Sequence, residues 1–431
     1  MLKFSTTSEL YALYQRFPSV QTDTRKIQPG AMYWALKGAR FDGNTFAQQA
    51  LDAGASAVVV DDENRVLNEQ CYLVQDGLSA LQALATMHRQ HLNIPFLAIT
   101  GSNGKTTTKE LLHAVLQTKF RTYATEGNLN NHIGVPLTIL KIGLDAELAI
   151  IEMGANHQQE IASYCTIALP THALINNCGK AHLEGFGGEE GVRKGKGELY
   201  DFIRRAGGLV FRNADLNYLE EMSRGIPEQV TYGHAPADYF GISEMQDGFL
   251  KVHVLNPGCE ISILTQLVGD YNFANVMGAV AVGCHFGIGI DTIRQALENY
   301  TPTNSRSQRM QSGSNTIILD AYNANPSSMQ AAIQNFVQTT AGNKIVMLGA
   351  MMELGASSVA EHQALIQLLE QSNWNQVVLV GGDFKFCEHP YIYFETAKEA
   401  AVWYQELKAE NTFFLIKGSR AIAMEQVLEK E

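Results

Sequence analysis

Short apolar runs separated by helical stretches recur along the chain. In residues 1–90, MYWAL (32–36), AVVV (57–60) and CYLV (71–74) have strand length and strand composition, while 46–53 and 79–91 carry helical spacing. They predict a small α/β unit. PFLAIT (95–100) opens a second unit, followed by a Gly-rich turn and a helical run from 105 to about 118. ELAIIEM (147–153) and THALIN (171–176) are further apolar strands with helices between them. That succession predicts a parallel sheet with helices on both faces. Residues 230–268, with KVHVL (251–255) and ISILTQLV (261–268), show β-type alternation and are expected as antiparallel strands on one edge of the same sheet. Helices near 272–285 and 290–299 follow. TPTNSRSQ (301–308) is polar and contains proline, a linker signal. Beyond it, NTIILD (315–320), KIVMLG (344–349), QVVLVGG (376–382) and TFFLIKG (412–418) predict strands, with helices near 326–338, 357–371, 396–408 and 419–429.

The expected fold class is therefore α/β in three domains, spanning 1–90, 91–303 and 304–431. A chain of 431 residues agrees, at roughly 150 residues per domain. Hydrophobic residues at 45% and charged residues at 18% exclude wholesale disorder. The formal net charge of −12 argues against a generic nucleic-acid or anionic-membrane binder. An anionic ligand must then meet local positive groups in an acidic whole. Six cysteines without a C-x-x-C give no zinc-ribbon or redox signal and suit a reducing compartment. The first 17 residues lack a signal-type apolar core, and no run approaches the ~20 apolar residues of a membrane span. A cytoplasmic monomer is expected, with neither nucleic acid nor membrane as partner.

Gly101-Ser102-Asn103-Gly104-Lys105-Thr106-Thr107 lies between a predicted strand and a predicted helix. Glycines allow a tight turn whose N–H groups converge on phosphate, and the helix N-terminus adds positive potential. Lys105 can reach β- and γ-phosphates, and the Thr106 hydroxyl can ligate Mg²⁺. The full G-x-x-x-x-G-K-[ST] pattern would need Gly at 99, where the chain has Ile99, so the match is to the shorter G-x-x-G-K-T. The motif points to a nucleoside triphosphate and leaves the reaction open. Glu152 ends ELAIIEM, where ligands bind in such sheets. It is a Mg²⁺ candidate and, on position alone, equally a surface residue. His182 follows another strand. It is a candidate to ligate a metal or orient a phosphate, while spacing alone favours a satisfied surface histidine, and Lys194 and Lys196 read as a solvated helix face.

Five ordered blocks change those weights. TGSNGKTTTKELL (100–112), TEGNLNNHIGVPLTIL (125–140), AIIEMGANHQQEI (149–161), AHLEGFGG (181–188) and DAYNANPSSM (320–329) together resemble the Mur ligase family. The resemblance implies a UDP-gripping N-terminal domain, a central P-loop ATPase domain and a closing C-terminal Rossmann-like domain. It implies an ATP-dependent ligase that joins D-alanyl-D-alanine to UDP-N-acetylmuramoyl-tripeptide through an acyl phosphate. The sister ligase's D-N-P-R-type sequence is absent. A folylpolyglutamate-type rival lacks the N-terminal elements, and a nucleotide-dependent switch would want an N-K-x-D-type sequence, which is not found.

By resemblance, Asp23, Thr24 and Arg25, with Thr in place of Ser, and Lys37, Gly38 and Arg40 contact the UDP end. Asn44 stands where the family often has His. Asn128, Asn130 and Asn131 belong to a precursor loop. Thr106, Glu152, His182 and a carbamylated Lys196 hold two Mg²⁺ ions, and Lys105 serves the ATP phosphates. Asn272 and Asn275 resemble an adenine-contact segment, and Arg306 and Asp320 reach ATP on closure. Asn323, Asn325, Lys417, Ser419 and Arg420 form the C-terminal face of the site. Ala350 departs from the family's usual Asp.

Overall fold

A computed structural model describes residues 3–234, 236–258, 260–302, 306–339 and 342–429. The expected break at 303/304 lies outside the described residues.

The first unit is a four-stranded parallel sheet in the order Val20–Gln21, Met32–Trp34, Ala57–Val60, Cys71–Leu73. A two-stranded hairpin, Lys37–Gly38 with Phe41–Asp42, projects beside it. The expected helices form as Ala47–Asp52 and Gly77–His91. One helix had no counterpart in the apolar pattern: Thr7–Arg16. Its capping box, Thr6 with Glu9, satisfies the first turn, and Leu10, Leu13 and Tyr14 are buried.

The central unit is a nine-stranded sheet. Its order is Ile261–Leu264, Phe249–Val254, Tyr239–Gln246, Glu228–Gly233, Leu209–Asn213, His172–Ile175, Phe96–Thr100, Leu148–Glu152, Thr122–Ala124. Phe96, Leu97, Ala98 and Ile99 are all fully buried, which is why this strand reads as an unbroken apolar run. The antiparallel edge exists, but it starts later than expected. Glu228–Gly233 runs parallel to both of its neighbours. The sheet changes sense only at the tight turn after Gln246, where Asp247 and Gly248 both take positive φ, as a two-residue hairpin turn requires.

The third unit is a six-stranded sheet ordered Gln308–Ser312, Asn315–Asp320, Thr412–Lys417, Asn343–Gly349, Gln376–Val380, Ile392–Phe394. All pairs but the first are parallel. The helix expected at 419–429 is not formed. A loop and a short 3₁₀ turn, Met424–Leu428, take its place. The Ser419 hydroxyl donates to the Ala350 carbonyl at 2.6 Å, and Ala423 sits at φ 55°, a value that interrupts a right-handed ladder. Among the described residues no helix is long and apolar enough to cross a membrane.

Candidate active site

A cleft of about 940 Å³ opens where the carboxyl ends of the central strands face the C-terminal unit. In parallel sheets this is where loops are free to hold ligands. Strand Phe96–Thr100 ends in the Gly-rich loop, and helix Lys105–Leu116 begins directly after it. Gly104 is at φ 82°, and a Cβ there would stand 2.8 Å from Asn275 Oδ1, so the loop cannot carry a side chain at this point. Lys105 Nζ donates to the Gly101 carbonyl at 2.5 Å. Enclosure pushes the Lys105 ammonium below its ordinary value; Glu152 opposes the shift and Arg306 adds to it.

Behind the loop lies a set of oxygen atoms. The Thr106 hydroxyl donates to both Glu152 carboxylate oxygens, at 2.9 and 3.1 Å. Asn130 Nδ2 donates to Glu152 Oε1 at 2.8 Å, and the Glu152 amide donates to Thr125 Oγ1. Glu152 is buried yet fully partnered, so the even choice left by the sequence goes against a surface residue. Among the described residues no group of three or more His, Cys, Asp or Glu is arranged to hold a metal. A hydroxyl and a single carboxylate beside a phosphate loop do fit Mg²⁺, which takes few protein ligands and completes its shell with phosphate and water.

Helix Glu189–Ala206 separates the two lysines that the sequence left together. Lys194 is exposed and pairs with Glu190. Lys196 is on the buried face with Val192, Leu199 and Ile203, and is 1% exposed. Its Nζ has no hydrogen-bond partner among the described residues, and it lies 5.2 Å from the centre of the Phe186 ring. Burial pushes the ammonium down to about 7, with Lys105 adding to the shift. The solvated-face reading therefore holds for Lys194 and fails for Lys196. A buried amine able to lose its proton, with no hydrogen-bond partner among the described residues, suits reaction with CO₂ to an oxygen-donor carbamate, with release of a proton.

His182, at φ 53°, lines the same cleft and contacts the Glu353 carboxylate of the C-terminal unit. Asn275 Oδ1 accepts from the Thr108 hydroxyl and from Asn176 Nδ2, both at 3.0 Å, and Asn275 Nδ2 donates to Asn272 Oδ1 at 2.8 Å. Asn275 thus braces helix Phe273–His285 against the helix that follows the phosphate loop, with Asn272 behind it, and both line the cleft.

Across the cleft, Asp320 accepts from Lys417 Nζ at 2.5 Å and from the Ser307 amide at 3.2 Å. The Arg306 guanidinium stacks 3.6 Å from the centre of the Tyr322 ring. Asn325 caps helix Pro326–Gln338, and its Nδ2 donates to Asn103 Oδ1 at 2.7 Å, tying that cap to the phosphate loop. Asn323, Ser419 and Arg420 also line the cleft, as do Asn128 and Asn131.

The N-terminal candidates are not brought to this cleft. Arg25 is held by Asp23 at 2.8 Å, Lys37 pairs with Asp61 at 2.9 Å, Gly38 packs under the Phe41 ring, and Arg40 is exposed at the hairpin turn. Asn44, at the family's His position, is fully buried. It donates to Asp42 and Asp61 at 2.7 Å each and accepts from the Asp61 amide. It joins the hairpin to the sheet. Asn44→Ala is expected to cost about 1.5–3 kcal/mol, the scale of hydrogen bonds to charged groups. Amide exchange across 57–60 should quicken; unchanged protection there would refute this role.

Ala350 does not reach the cleft. It is fully buried, and a Cβ on Gly382 would stand 2.3 Å from its own Cβ. The position is used for packing and has no room for a carboxylate in this arrangement. Sequence reasoning missed Glu353, Tyr322 and Tyr271, whose neighbours lie on distant segments. Of the three, only Tyr322 lies inside one of the ordered blocks, 320–329.

Three family models cover the chain: "Mur ligase family, catalytic domain" at 16–93, "Mur ligase middle domain" at 99–283 and "Mur ligase, glutamate ligase domain" at 305–420. A UDP-N-acetylmuramoyl-tripeptide–D-alanyl-D-alanine ligase of Bacillus subtilis (strain 168) is 33% identical, covering 95% of this chain and 92% of that one. The chain belongs to the Mur ligase family. Among solved structures, MurF from Acinetobacter baumannii superposes with a TM-score of 0.87 at 30% identity, over 99% of this chain and 98% of that one. MurF ligase from Thermotoga maritima, in complex with ADP, also gives 0.87 at 25% identity, over 96% and 97%. In this Mur ligase the phosphate loop and the C-terminal unit face each other across one cleft.

Proposed function

We propose that this Mur ligase joins D-alanyl-D-alanine to UDP-N-acetylmuramoyl-tripeptide at the expense of ATP, in the cytoplasm, as a step of peptidoglycan precursor synthesis. The observation that carries the reading is the cleft itself, which gathers a phosphate loop, the hydrogen-bonded Glu152 carboxylate and the C-terminal face in one place. The relatives named for this reaction match nearly the whole chain. A carboxylate resists attack by an amine, because oxide is a very poor leaving group. The precursor's terminal carboxylate oxygen attacks the γ-phosphorus, the bond to ADP breaks, and an acyl phosphate forms. The amine of D-Ala-D-Ala then attacks the acyl carbon, loses a proton, and phosphate leaves.

Phosphoryl transfer between anions is mainly a matter of positioning and charge neutralisation. In this reading Lys105 leaves the Gly101 carbonyl for the β- and γ-phosphates. Thr106 and Glu152 would hold one Mg²⁺ ion, and His182 with carbamylated Lys196 would hold a second; bound there, Mg²⁺ would supply positive charge at the phosphates. Asn272 and Asn275 sit at the adenine. Arg306 and Asp320 meet ATP from the C-terminal side, while Asn323, Asn325, Lys417 and Ser419 form the acceptor face. Asn128, Asn130 and Asn131 steady the precursor's peptide. Asp23, Thr24, Arg25, Lys37, Gly38 and Arg40 take its UDP end on the N-terminal unit. Domains of 1–90, 91–303 and 304–431 assign one of these tasks to each.

A coupled phosphate-release assay tests the function. Release is expected only when ATP, the UDP-linked tripeptide and D-Ala-D-Ala are all present; slow release indifferent to both acceptors would overturn it. Closure of the C-terminal unit is tested by solution scattering. The radius of gyration should fall on adding a non-hydrolysable ATP analogue with precursor, and unchanged dimensions would count against closure.

A further inference from the structure

We infer that Glu353 is a positioning residue for His182, supplied by the C-terminal unit, which couples metal binding in the cleft to docking of that unit. The inference rests on the proposed reading of His182 as a metal ligand. His182 opens the single turn Leu183–Phe186 at φ 53°, and Glu353 sits at φ 61° in the loop after strand Asn343–Gly349. Both are in a region that side chains with a Cβ rarely adopt. The Glu184 amide points at the Glu353 carbonyl at 3.4 Å. Gly355, at φ 55°, packs so closely that a Cβ there would stand 3.3 Å from the Glu184 side chain. Between these backbone contacts the Glu353 carboxylate meets His182 Nδ1. Nε2 remains for the cleft that His182 lines.

A carboxylate on one imidazole nitrogen fixes the tautomer and ring orientation and makes the other nitrogen a better donor to a metal. Two further contacts hold the same segment from the same side. Lys180 Nζ reaches Glu361 at 2.7 Å, and the Lys180 amide donates to Ser327 Oγ at 3.0 Å. The loop carrying His182 is therefore ordered by the C-terminal unit. Whatever metal binding gains from an oriented His182, docking of the unit gains in return, since such coupling is reciprocal. Glu353 contacts Nδ1, so it supports the proposed ligand nitrogen without competing for it.

The test is Mn²⁺ binding to the full-length protein with ADP, followed by electron paramagnetic resonance. The Mn²⁺ site lost in His182→Ala is the one to be read in the Glu353 variants. Glu353→Ala is expected to weaken that site about tenfold or more, the usual effect of removing a ligand's outer partner. Glu353→Gln, which keeps the side chain's length beside Nδ1 and removes its charge, should weaken it less. ADP affinity measured without metal should not change. The Glu353 side chain is 52% exposed, so these substitutions leave the fold intact. Unchanged or tighter Mn²⁺ binding in Glu353→Ala, with loss in His182→Ala, overturns the inference alone. Mn²⁺ binding that survives His182→Ala removes the metal-ligand reading as well.

Discussion

Lys196→Ala should cut ligation by about a thousandfold. The residue's proposed work is to hold a metal ion, whose charge stabilisation is worth several kcal/mol, at about 1.36 kcal/mol per decade of rate. The motive is geometric: a fully buried amine whose Nζ has no partner among the described residues, below a cleft that holds the phosphate loop. Acetate or formate should restore part of the rate to the alanine variant, since the vacated space admits a small carboxylate where the carbamate would stand. Lys196→Met separates chemistry from packing. It keeps most of the stem, removes the orphaned nitrogen, and should be inactive, beyond rescue, and no less stable in a thermal scan. A buried polar group without a partner costs stability, so its removal should not lower the midpoint. Turnover like wild type in Lys196→Ala would sink the carbamate reading. A midpoint that drops sharply in Lys196→Met would show that the ammonium is paired after all.

Lys105→Ala should lower kcat by about a hundred- to a thousandfold, the usual effect of removing one preorganised donor from a developing anion. Lys105 sits at the start of helix Lys105–Leu116, and its amine lies against the loop carbonyls of Gly101 and Ser102 at 2.5 and 3.4 Å. The loss should appear in precursor-dependent phosphate release. Affinity for the precursor should change little, because its proposed contacts are on other segments. Lys105→Arg should not restore activity, since the longer planar fork does not fit a point-charge position beside Gly101. Persistent ligation in Lys105→Ala would refute the role.

Much of the fold is written locally. PFLAIT and ELAIIEM are apolar at nearly every position because both faces of those strands are covered. A period-free apolar run followed by glycines needs no partner to be read. The same holds for the phosphate loop, whose spacing encodes its own turn. The helix Thr7–Arg16 was absent from the apolar pattern, and its capping box, Thr6 with Glu9, is a feature of the folded chain. The expected helix at 419–429 failed because Ser419 is claimed by Ala350, a contact no local propensity anticipates.

The site divides in the same way. Residue types alone placed Lys105 and Thr106 at a phosphate, because a short motif fixes backbone and side chains together. They left Glu152 undecided and, by themselves, put His182 and Lys196 on the surface. Burial decided Lys196, since it stands four residues past Val192 on the inward helix face, while Lys194, two residues earlier, faces water. Family resemblance brought those residues back into the candidate set, but Glu353 could not be found that way. Its partner lies in another unit, and only folding sets a carboxylate from the third sheet against a histidine of the second. The sequence by itself determined the units, the phosphate loop and the chemistry available. Tertiary structure decided which amines are buried, which carboxylates are partnered and which loops meet, because those properties depend on contacts between segments far apart in the chain.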